Sequence, residues 1–426
     1  MPISQTGARM DTEADDYLNE WREVSLTSVA DIRFSSVNKV SQPGEEPVRL
    51  CNYTDVYNND YVTADMDFMR ATATKSEIER FGLQVGDVII TKDSETPDDI
   101  GIPTVVDTTA PDLVCGYHLA LLRPNQDEVD PTFLAKQLAH HRIARYFGQQ
   151  ANGTTRYGLS TAAIANAPLH LPRPENQRTA SALMRMVDAQ ISQTETVIAK
   201  LKQVRAGMLH DLLSYGLDEH GQLRDPIAHP EQFKDSPLGL IPREWEVVKL
   251  GDAFSMQAGK FLSSGNIKNF GHFPVFGGNG LRGYTTTYTH EGEYALIGRQ
   301  GALCGNIMVA SGQFYATEHA VVVTPNEEMN VGWVASYLTA MNLNRFSESS
   351  AQPGLSVHKL SHNRIKLPKF PEQEAIDFQI KAIDQQLSSE ADALAKLGSL
   401  KSGLQDDLLT GRVSVPETIM EGAENA

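Results

Sequence analysis

The chain has 426 residues, and at roughly 100–200 residues per domain this length predicts two to four domains. Its 41% hydrophobic and 21% charged residues are typical of globular proteins, which excludes wholesale disorder, collagen-like repeats and a disulfide scaffold. The sequence lacks both the apolar run of about 18 residues that a transmembrane helix needs and a signal-peptide core, so we expect no membrane association.

The net charge of −17 is unfavourable for nucleic-acid binding, but the charge is unevenly distributed. Residues 1–171 hold 14 basic and 25 acidic side chains, whereas residues 237–368 hold 10 and 9. Any affinity for a polyanion must therefore come from local patches or from a partner. Three cysteines without CxxC spacing, Cys51, Cys115 and Cys304, predict buried free thiols in a reducing cytoplasm.

The predicted elements follow one order twice: short strands, a short helix and a long helix. The strands are apolar runs bounded by turn formers, namely GDVIIT (86–91), HLALLR (118–123), YALIG (294–298) and HAVVVT (319–324). A short helix follows each pair of runs, over 131–147 and 331–346. Each long helix begins where proline and an acid share the first turn, at Pro174-Glu175 and Pro371-Glu372.

This order reflects an internal duplication. Residues 199–213 (AKLKQVRAGMLHDLL) recur 196 positions later as residues 395–409 (AKLGSLKSGLQDDLL). The same offset relates the Gly-Leu-Ser segments at 158–160 and 354–356. Further upstream, WREVSL at 21–26 matches WEVVKL 224 positions later, at 245–250. The two copies therefore share their ends, and the second copy is 28 residues shorter between them (224 minus 196).

The two long helices carry apolar residues at spacings of three and four: Val187, Ile191, Ile198, Leu201, Val204, Met208 and Leu212, then Ile383, Leu387, Leu394, Leu397, Leu400, Leu404 and Leu408. This pattern predicts a coiled-coil seam, and a buried core helix is the alternative. We expect the two helices to pair antiparallel and to separate two pseudo-two-fold-related globular α/β domains, giving an α+β fold. Such symmetry suits duplex DNA.

Sequence patterns of common enzymes are missing. No lysine has an acid two positions earlier, and no GK[ST], HExxH, GxSxG or Asn-Pro-Pro-aromatic motif occurs. The glycine clusters at 277–283 and 298–305 do not form a strand-loop-helix GxGxxG, and Glu318-His319 is interpreted as a structural pair. We therefore expect no catalytic or metal site, with an enzyme of unrecognised type as an alternative.

Polar side chains in the predicted loops suit base reading, because Arg pairs with guanine while Asn and Gln pair with adenine. Turn residues on solvated loops are the alternative interpretation. The loop 149–157 (QQANGTTRY) is the strongest segment, since it is polar and directly precedes a repeated Gly-Leu-Ser. The candidates are Asn52, Tyr53, Tyr57, Asn58, Lys92, Gln149, Gln150, Asn152, Thr154, Thr155, Arg156 and Tyr157, then Asn279, Arg282, Tyr284, Arg299, Gln300, Asn306, His319 and Gln352.

With these motifs the chain resembles the specificity subunit of a Type I restriction–modification system. The resemblance runs from about Trp21 to Val415 and rests on duplicated helix ends and on segments typical of the family, namely DLLSYG (211–216), DLLTGRV (407–413), FPVFGGNGLRGYT (273–285), LIGRQGALCGNI (296–307) and FYATEHAVVV (314–323). The first copy, with VRLCNYTDVYNN at 48–59, is a more distant version. An acidic leader before Trp21 and an acidic C-terminal tail depart from the pattern.

The resemblance implies a non-catalytic, cytoplasmic subunit in which each target recognition domain reads half of a split, asymmetric double-stranded DNA sequence. It implies that the helices set the spacer and dock two methylation subunits, which bind S-adenosylmethionine, and that nuclease subunits can join. This chain itself is expected to bind no cofactor. A stand-alone DNA-binding regulatory module is the alternative. The implied divisions are domain 1 (1–173), helix (174–216), linker (217–236), domain 2 (237–370), helix (371–412) and tail (413–426).

Overall fold

The computed structural model describes residues 21–301, 303–347 and 354–413. The described chain mixes helices and strands in an α+β fold, as the sequence predicts. It divides into two compact units: unit 1 comprises residues 1–193 and 394–426, and unit 2 comprises residues 194–393. The domain boundaries listed above stay a prediction. The acidic leader and the tail beyond Val413 lie outside the described residues. Among the described helices, none combines the length and hydropathy of a membrane span.

Unit 1 is built from short strands with helices between them. Its strands are β1 (Arg22–Ser25), β2 (Ala30–Phe34), β3 (Glu46–Cys51), β4 (Tyr61–Val62), β5 (Met69–Ala73), β6 (Val88–Thr91), β7 (Asp93–Ser94), β8 (Pro103–Val106), β9 (Leu113–Cys115), β10 (Leu119–Pro124), β11 (Tyr157–Gly158) and β12 (Pro168–Leu171). Its short helices are α1 (Leu26–Val29), α2 (Tyr53–Tyr57), α3 (Lys75–Phe81), α4 (Pro131–Ala139), α5 (His141–Gln150) and α6 (Thr161–Ala165).

The apolar runs predicted as strands form the centre of the main sheet in unit 1. That sheet has the order β2-β10-β6-β8-β4, with β10 antiparallel to both β2 and β6. Alternate side chains of a strand point to opposite faces. Ile90 and Leu122 enter one hydrophobic cluster, whereas Ile89 and Leu121 enter another. Because both faces are covered, these strands read as continuous apolar runs rather than as alternating patterns.

Unit 2 repeats this construction with a different sheet. Its strands are β13 (Phe233–Ser236), β14 (Gly239–Pro242), β15 (Glu246–Lys249), β16 (Phe254–Ala258), β17 (Phe273–Gly277), β18 (Gly280–Thr285), β19 (His290–Gly298), β20 (Ile307–Ala316), β21 (Ala320–Pro325) and β22 (Arg364–Leu367). The main sheet has the order β16-β21-β19-β20-β17-β18. The segment 217–236, expected to be a linker, includes β13, and Phe233 is buried.

The remaining helices are α7 (Pro174–Ser214), α8 (Leu250–Ala253), α9 (Val331–Ala340), α10 (Val357–Ser361) and α11 (Phe370–Thr410). Helices α7 and α11 are the two long helices that the sequence predicts over 174–216 and 371–412. The first turn of each long helix contains a glutamine whose side chain forms hydrogen bonds with the backbone of two preceding segments. Gln177 accepts from the backbone of Asp130 and donates to Pro172, and Gln373 does the same with Asn330 and Pro368.

Within each unit the segments of the two long helices run antiparallel. In unit 1, Asp188 of α7 is paired with Lys401 of α11, and Met184 shares a hydrophobic cluster with Leu408. In unit 2, Arg205 is paired with Asp384, and the backbone N–H just beyond α7, that of Leu217, donates to Glu372. The residue numbers rise along one helix as they fall along the other, which is the order that antiparallel pairing requires.

The helices differ from the expectations in three places. The helix predicted over 331–346 ends at Ala340, and a separate 3-10 turn, Leu343–Phe346, follows because Asn342 before it has a left-handed backbone. The helix predicted over 131–147 is two helices, α4 and α5, because His140 between them has an extended backbone. The imidazole of His140 contacts Asp406, and Gln137 donates to the carbonyl of Leu409, so the break lies where this segment meets the end of α11. Val204 and Leu400, predicted for the helix seam, are 57% and 54% exposed.

Candidate nucleic-acid interface

The polar loop of unit 1 is held against the end of the main sheet. Strand β11 pairs with β7, which places Tyr157 opposite Ser94, and Asn152 forms a two-way backbone bridge with Gly158. Gly153 has φ of +147°, and a Cβ there would lie 2.0 Å from the carbonyl oxygen of Arg156, so the turn requires glycine. Thr154, Thr155 and Arg156 are exposed at the tip of this turn.

Helix α2 presents two tyrosines next to that loop. The rings of Tyr53 and Tyr57 stack with centroids 5.6 Å apart, and the Tyr57 hydroxyl donates to Asp99. Burial raises the pKa of Tyr53, and Asp99 acts in the same direction, while a hydrogen bond with Ser94 and the charge of Arg156 oppose both. Tyr53 therefore contacts Ser94, the residue that lies opposite Tyr157 of the loop.

Four further side chains, of which only Lys92 was a candidate from the sequence, lie beside these tyrosines. The ammonium of Lys92 lies 4.8 Å from the centre of the Tyr117 ring, and Nδ1 of His118 lies 2.5 Å from a carboxylate oxygen of Asp93. His118 has φ of +28°, which is uncommon for a residue other than glycine. Such outliers cluster at functional sites.

A cavity of about 140 Å³ opens between the two groups. Asn52 caps the start of α2, and its backbone N–H donates to Asp55. The cavity is lined by Asn38, Lys39, Asn52, Tyr53, Tyr117 and His118. Unit 1 thus brings most of its candidate residues to one face and adds Tyr117, His118 and Asp93. The sequence does contain a signal for His118. The apolar runs HLALLR and HAVVVT both begin with histidine, and the histidine of the second run, His319, is already a candidate.

In unit 2 the candidates converge on the turn between β17 and β18. A Cβ on Gly278 would lie 3.2 Å from the carbonyl oxygen of His319 and 3.3 Å from that of Gln300. A Cβ on Gly298 would lie 2.1 Å from the carbonyl oxygen of Gly278, so this close approach requires glycine. The turn that carries Asn279 therefore lies directly on the loops that carry Gln300 and His319.

The other candidates of unit 2 surround this turn. The side chain of Arg282 lies over Gly277, and Arg299 donates its backbone N–H to His319. Asn306 accepts from the backbone of Gly298 at the end of β19. Tyr284 is held instead by a two-way backbone pairing with Lys268. Gln352 lies outside the described residues.

Potential metal ligands occur away from both groups. Within the described ranges, one set of ligand atoms lies close enough to hold an ion: His140, His141 and Asp406, within 4.8 Å of one another. Asp406 is already paired with His140 and Arg412, so the set is explained as a structural cluster at the end of α11. The predicted buried free thiols are confirmed for Cys51, Cys115 and Cys304, and burial raises the pKa of each.

Together the two faces offer stacked aromatic rings, amide side chains and guanidinium groups on strand ends and tight turns. Aromatic faces stack on bases, guanidinium and amide groups bond to base edges, and cations bind phosphates. The chemistry therefore matches a nucleic-acid surface. The structure brings many of the predicted residues that it describes into these two groups, and base contact by any one of them stays a prediction.

Comparison with known proteins shows what the chain is similar to. Residues 242–397 match the family model of the Type I restriction modification DNA specificity domain. The chain is 42% identical over 176 residues to the Type I restriction enzyme EcoprrI specificity subunit of Escherichia coli, a match that covers 40% of this chain and 43% of that protein. It is 23% identical over 360 residues to the putative type I restriction enzyme MjaX specificity subunit of Methanocaldococcus jannaschii, covering 80% and 81%.

Solved structures show the same fold. The S subunit of a Type I restriction-modification system from M. genitalium superimposes with a TM-score of 0.61 at 17% identity, covering 91% of this chain and 96% of that one. A chain from a structure on complex assembly and conformational transition of the type I R-M system gives 0.52 at 18% identity, covering 92% and 98%. These structures confirm the fold, and the resemblance found in the sequence is confirmed by the family model and the relatives above.

Proposed function

We propose that this chain, a relative of the type I restriction enzyme specificity subunits, is the DNA sequence-specificity subunit of a Type I restriction–modification complex. Each unit reads one half of a bipartite, asymmetric target. The observation that carries the proposal is the duplicated frame with dissimilar loops, because one scaffold aimed at two sequences needs a constant frame and variable contacts. The protein acts in the cytoplasm.

The chain contributes recognition and no catalysis. Two copies of an adenine methyltransferase subunit, which bind S-adenosylmethionine, supply the methylation, and nuclease subunits can join the complex. The net charge of −17 fits this division of labour, since partner subunits can supply many of the phosphate contacts. The two long helices form the docking surface and set the distance between the half-sites.

The experiment is reconstitution with and without the methyltransferase subunit. We expect the purified complex to hold one copy of this chain and two methyltransferase copies, and to methylate adenine within a split motif when modified bases are mapped on genomic DNA. Methylation by this chain alone, or another stoichiometry, would contradict the proposal. Full sequence-specific binding by the isolated chain would instead favour a stand-alone regulatory module, which none of the relatives described above supports.

A second experiment tests the spacer function. The ion pairs at Asp188–Lys401 and Arg205–Asp384 define which residues of the two helices lie opposite each other. Deleting residues 194–197 together with 392–395 therefore removes facing segments and keeps the remaining pairs in register. The helices shorten by about 6 Å at 1.5 Å per residue. With about 3.4 Å per base pair, the gap between half-sites should fall by one or two base pairs while both half-sites stay the same. A methylating complex that keeps the original gap would show that the helices do not set it.

A further inference from the structure

One cation is held in the same way in each unit. Lys92 follows β6 and Arg299 follows β19, and each donates its backbone N–H to the carbonyl of a histidine that precedes the neighbouring strand. The distances are 3.1 Å from Lys92 to His118 and 2.9 Å from Arg299 to His319. The ladders agree, because Thr91 lies opposite Leu119 and Gly298 lies opposite Ala320. Lys92 and Arg299 therefore occupy equivalent positions.

The repeated Gly-Leu-Ser segments hold the other side of each cation's backbone. The N–H of Leu159 donates to the carbonyl of Lys92 at 2.9 Å, and the N–H of Leu355 donates to the carbonyl of Arg299 at 3.0 Å. Both peptide groups of each cation are thus fixed by the frame that the duplication preserves. The repeated Gly-Leu-Ser segments therefore help to hold the backbone of each cation in place, a role that the sequence alone does not show.

Each of the two histidine side chains contacts a carboxylate, but the carboxylates belong to residues at different positions relative to the cation. His118 is bonded through Nδ1 to Asp93, which follows Lys92 in the chain, whereas His319 contacts Glu318 through Nε2 at 3.3 Å. The preserved features are the histidine's position and its carbonyl, while the details of its ring vary. The backbone carbonyls of His118 and His319 therefore position the residue that carries each cation.

The cations themselves are available to a ligand. In the part of the chain that the structure describes, neither the Lys92 ammonium nor the Arg299 guanidinium forms an ion pair, although acids outnumber bases in the whole chain by 54 to 37. Lys92 rests instead on the Tyr117 ring. Lysine is a point charge and arginine a planar fork, so the two are not interchangeable in reading a base. A phosphate accepts either.

We propose that Lys92 and Arg299 are equivalent contacts to the DNA backbone, each binding a phosphate in its own half-site. This inference rests on the proposed function. The phosphate backbone is the feature that two different half-sites share, so a contact kept in both units serves it. The loops that differ between the units, with Arg156 in one and Arg282 in the other, read the bases. Lys92 and Arg299, both base-reading candidates from the sequence, are thereby reassigned.

The test uses the complex with its methyltransferase subunits and four duplexes: the full target, each half-site scrambled in turn, and both scrambled. Lys92→Gln and Arg299→Gln should each weaken binding to all four by the same factor. The slope of log affinity against log salt concentration should become shallower by about 0.9 for each lost contact. Between 50 and 200 mM salt, the fold-loss of affinity should therefore be smaller by a factor of about 3.5. Lys92→Arg and Arg299→Lys should restore both quantities. Arg156→Gln and Arg282→Gln are the matched controls, and each should alter discrimination at one half-site.

Specific outcomes would overturn the inference. A change of discrimination confined to one half-site in Lys92→Gln or Arg299→Gln would make that residue a base reader. An unchanged salt slope would exclude a phosphate contact. Unaltered melting temperature and subunit association in each variant separate these results from misfolding. A parent complex that binds all four duplexes equally would contradict the proposed function itself, whereas a discriminating parent with either of the above results contradicts this inference alone.

Discussion

The two units use the same pair of helix positions in different ways. The sequence duplication relates Asp188 to Asp384 and Arg205 to Lys401, each at an offset of 196. In unit 1 the ion pair is Asp188–Lys401, and in unit 2 it is Arg205–Asp384. The pair in unit 2 is partly exposed, with Arg205 donating to both carboxylate oxygens of Asp384. The pair in unit 1 belongs to a larger network.

That network joins the helices of unit 1 to its globular part. The Asp188 side chain is only 7% exposed, forms ion pairs with the ammonium groups of Lys136 and Lys401 at 2.8 Å, and accepts a hydrogen bond from the Tyr61 hydroxyl at 2.8 Å. Asp60 bonds the same two ammonium groups at 2.9 Å. Burial acts to raise the pKa of Asp60, but Lys136 and Lys401 outweigh it and hold that pKa below its usual range.

The comparison shows that a repeated sequence position does not fix an energetic role. A buried charge is costly unless every member of its network is paired, so removing one member leaves the others uncompensated. An exposed pair contributes little because water screens it. The ion pair at these duplicated positions therefore stabilises the packing of the helices in unit 1. In unit 2 the equivalent pair contributes little energy and mainly shows which residues of the two helices lie opposite each other.

The largest expected effect is a difference between two matched substitutions. Asp188→Asn leaves Lys136 and Lys401 with only the partly exposed Asp60 as an acidic partner and should cost about 2–3 kcal/mol, whereas Asp384→Asn should cost at most about 1 kcal/mol. Hydrogen exchange of the intact chain measures both, through the opening free energies of amides near residues 184–192 and 376–384. Equal losses in the two units would remove this distinction between the two ion pairs.

The next effect concerns the loops that differ between the units. Arg156→Ala should relax discrimination in one half of the DNA target, and Arg282→Ala in the other, each by about 1–3 kcal/mol at a single base pair. Affinities of the reconstituted complex for single-base variants of its target give these values. If either substitution altered both halves alike, the assignment of one half-site to each unit would be wrong.

A smaller effect is the pH dependence of the Asp60–Lys401 network in unit 1. Because the folded pKa of Asp60 is lowered, its stabilisation is present above its unfolded pKa of about 3.9 and is lost as the pH falls through the folded value. Burial acts to lower the pKa of Lys401, but bonds to Asp188 and Asp60 raise it, so that contribution is present below about 10.4 and is lost as the pH rises through the folded value.

The same hydrogen-exchange measurement against pH checks this expectation. The helix amides of unit 1 should open more readily at both extremes. The Arg205–Asp384 contact in unit 2 should not weaken at high pH, because hydrogen bonding to Asp384 raises the already high pKa of Arg205. Equal alkaline loosening of both helix segments would contradict the assignment to Lys401.

The smallest effect is expected at the two outward-facing apolar positions of the long helices. Val204→Ser and Leu400→Ser should change the unfolding free energy of the isolated chain by less than about 0.5 kcal/mol, as is usual for surface substitutions. The buried equivalents Leu212→Ala and Leu408→Ala, measured by urea denaturation, provide the contrast at about 2–5 kcal/mol. A loss of unfolding free energy at Val204→Ser as large as that at Leu212→Ala would show that Val204 belongs to the buried seam.

The sequence predicts what is local or repeated. Apolar runs identify β6, β10, β19 and β21, proline with an acid identifies the starts of α7 and α11, and the Gly-Leu-Ser repeat identifies the common frame. Most candidate residues of the two faces were also found, because polar turn residues stand out between apolar runs.

What depends on distant pairing was not predictable from one sequence. Asp93 and His118 are 25 residues apart, and the pairing of β6 with β10 brings them together. Asp60 and Lys401 are 341 residues apart. The outward positions of Val204 and Leu400 also escaped the pattern, since spacings of three and four fit more than one stripe on so long a helix.

The division of the chain has a consequence for the order in which the protein is made. Unit 2 is one continuous stretch, 194–393, inserted between the two pieces of unit 1. Synthesis from the N-terminus therefore completes unit 2 before the last helical segment of unit 1 has been made. Until then Lys136, Asp60 and Asp188 lack Lys401, and Gln137 lacks its acceptor at Leu409. Closing so long a loop is slow, so an early-folded unit 2 shortens the distance that the final segment must search.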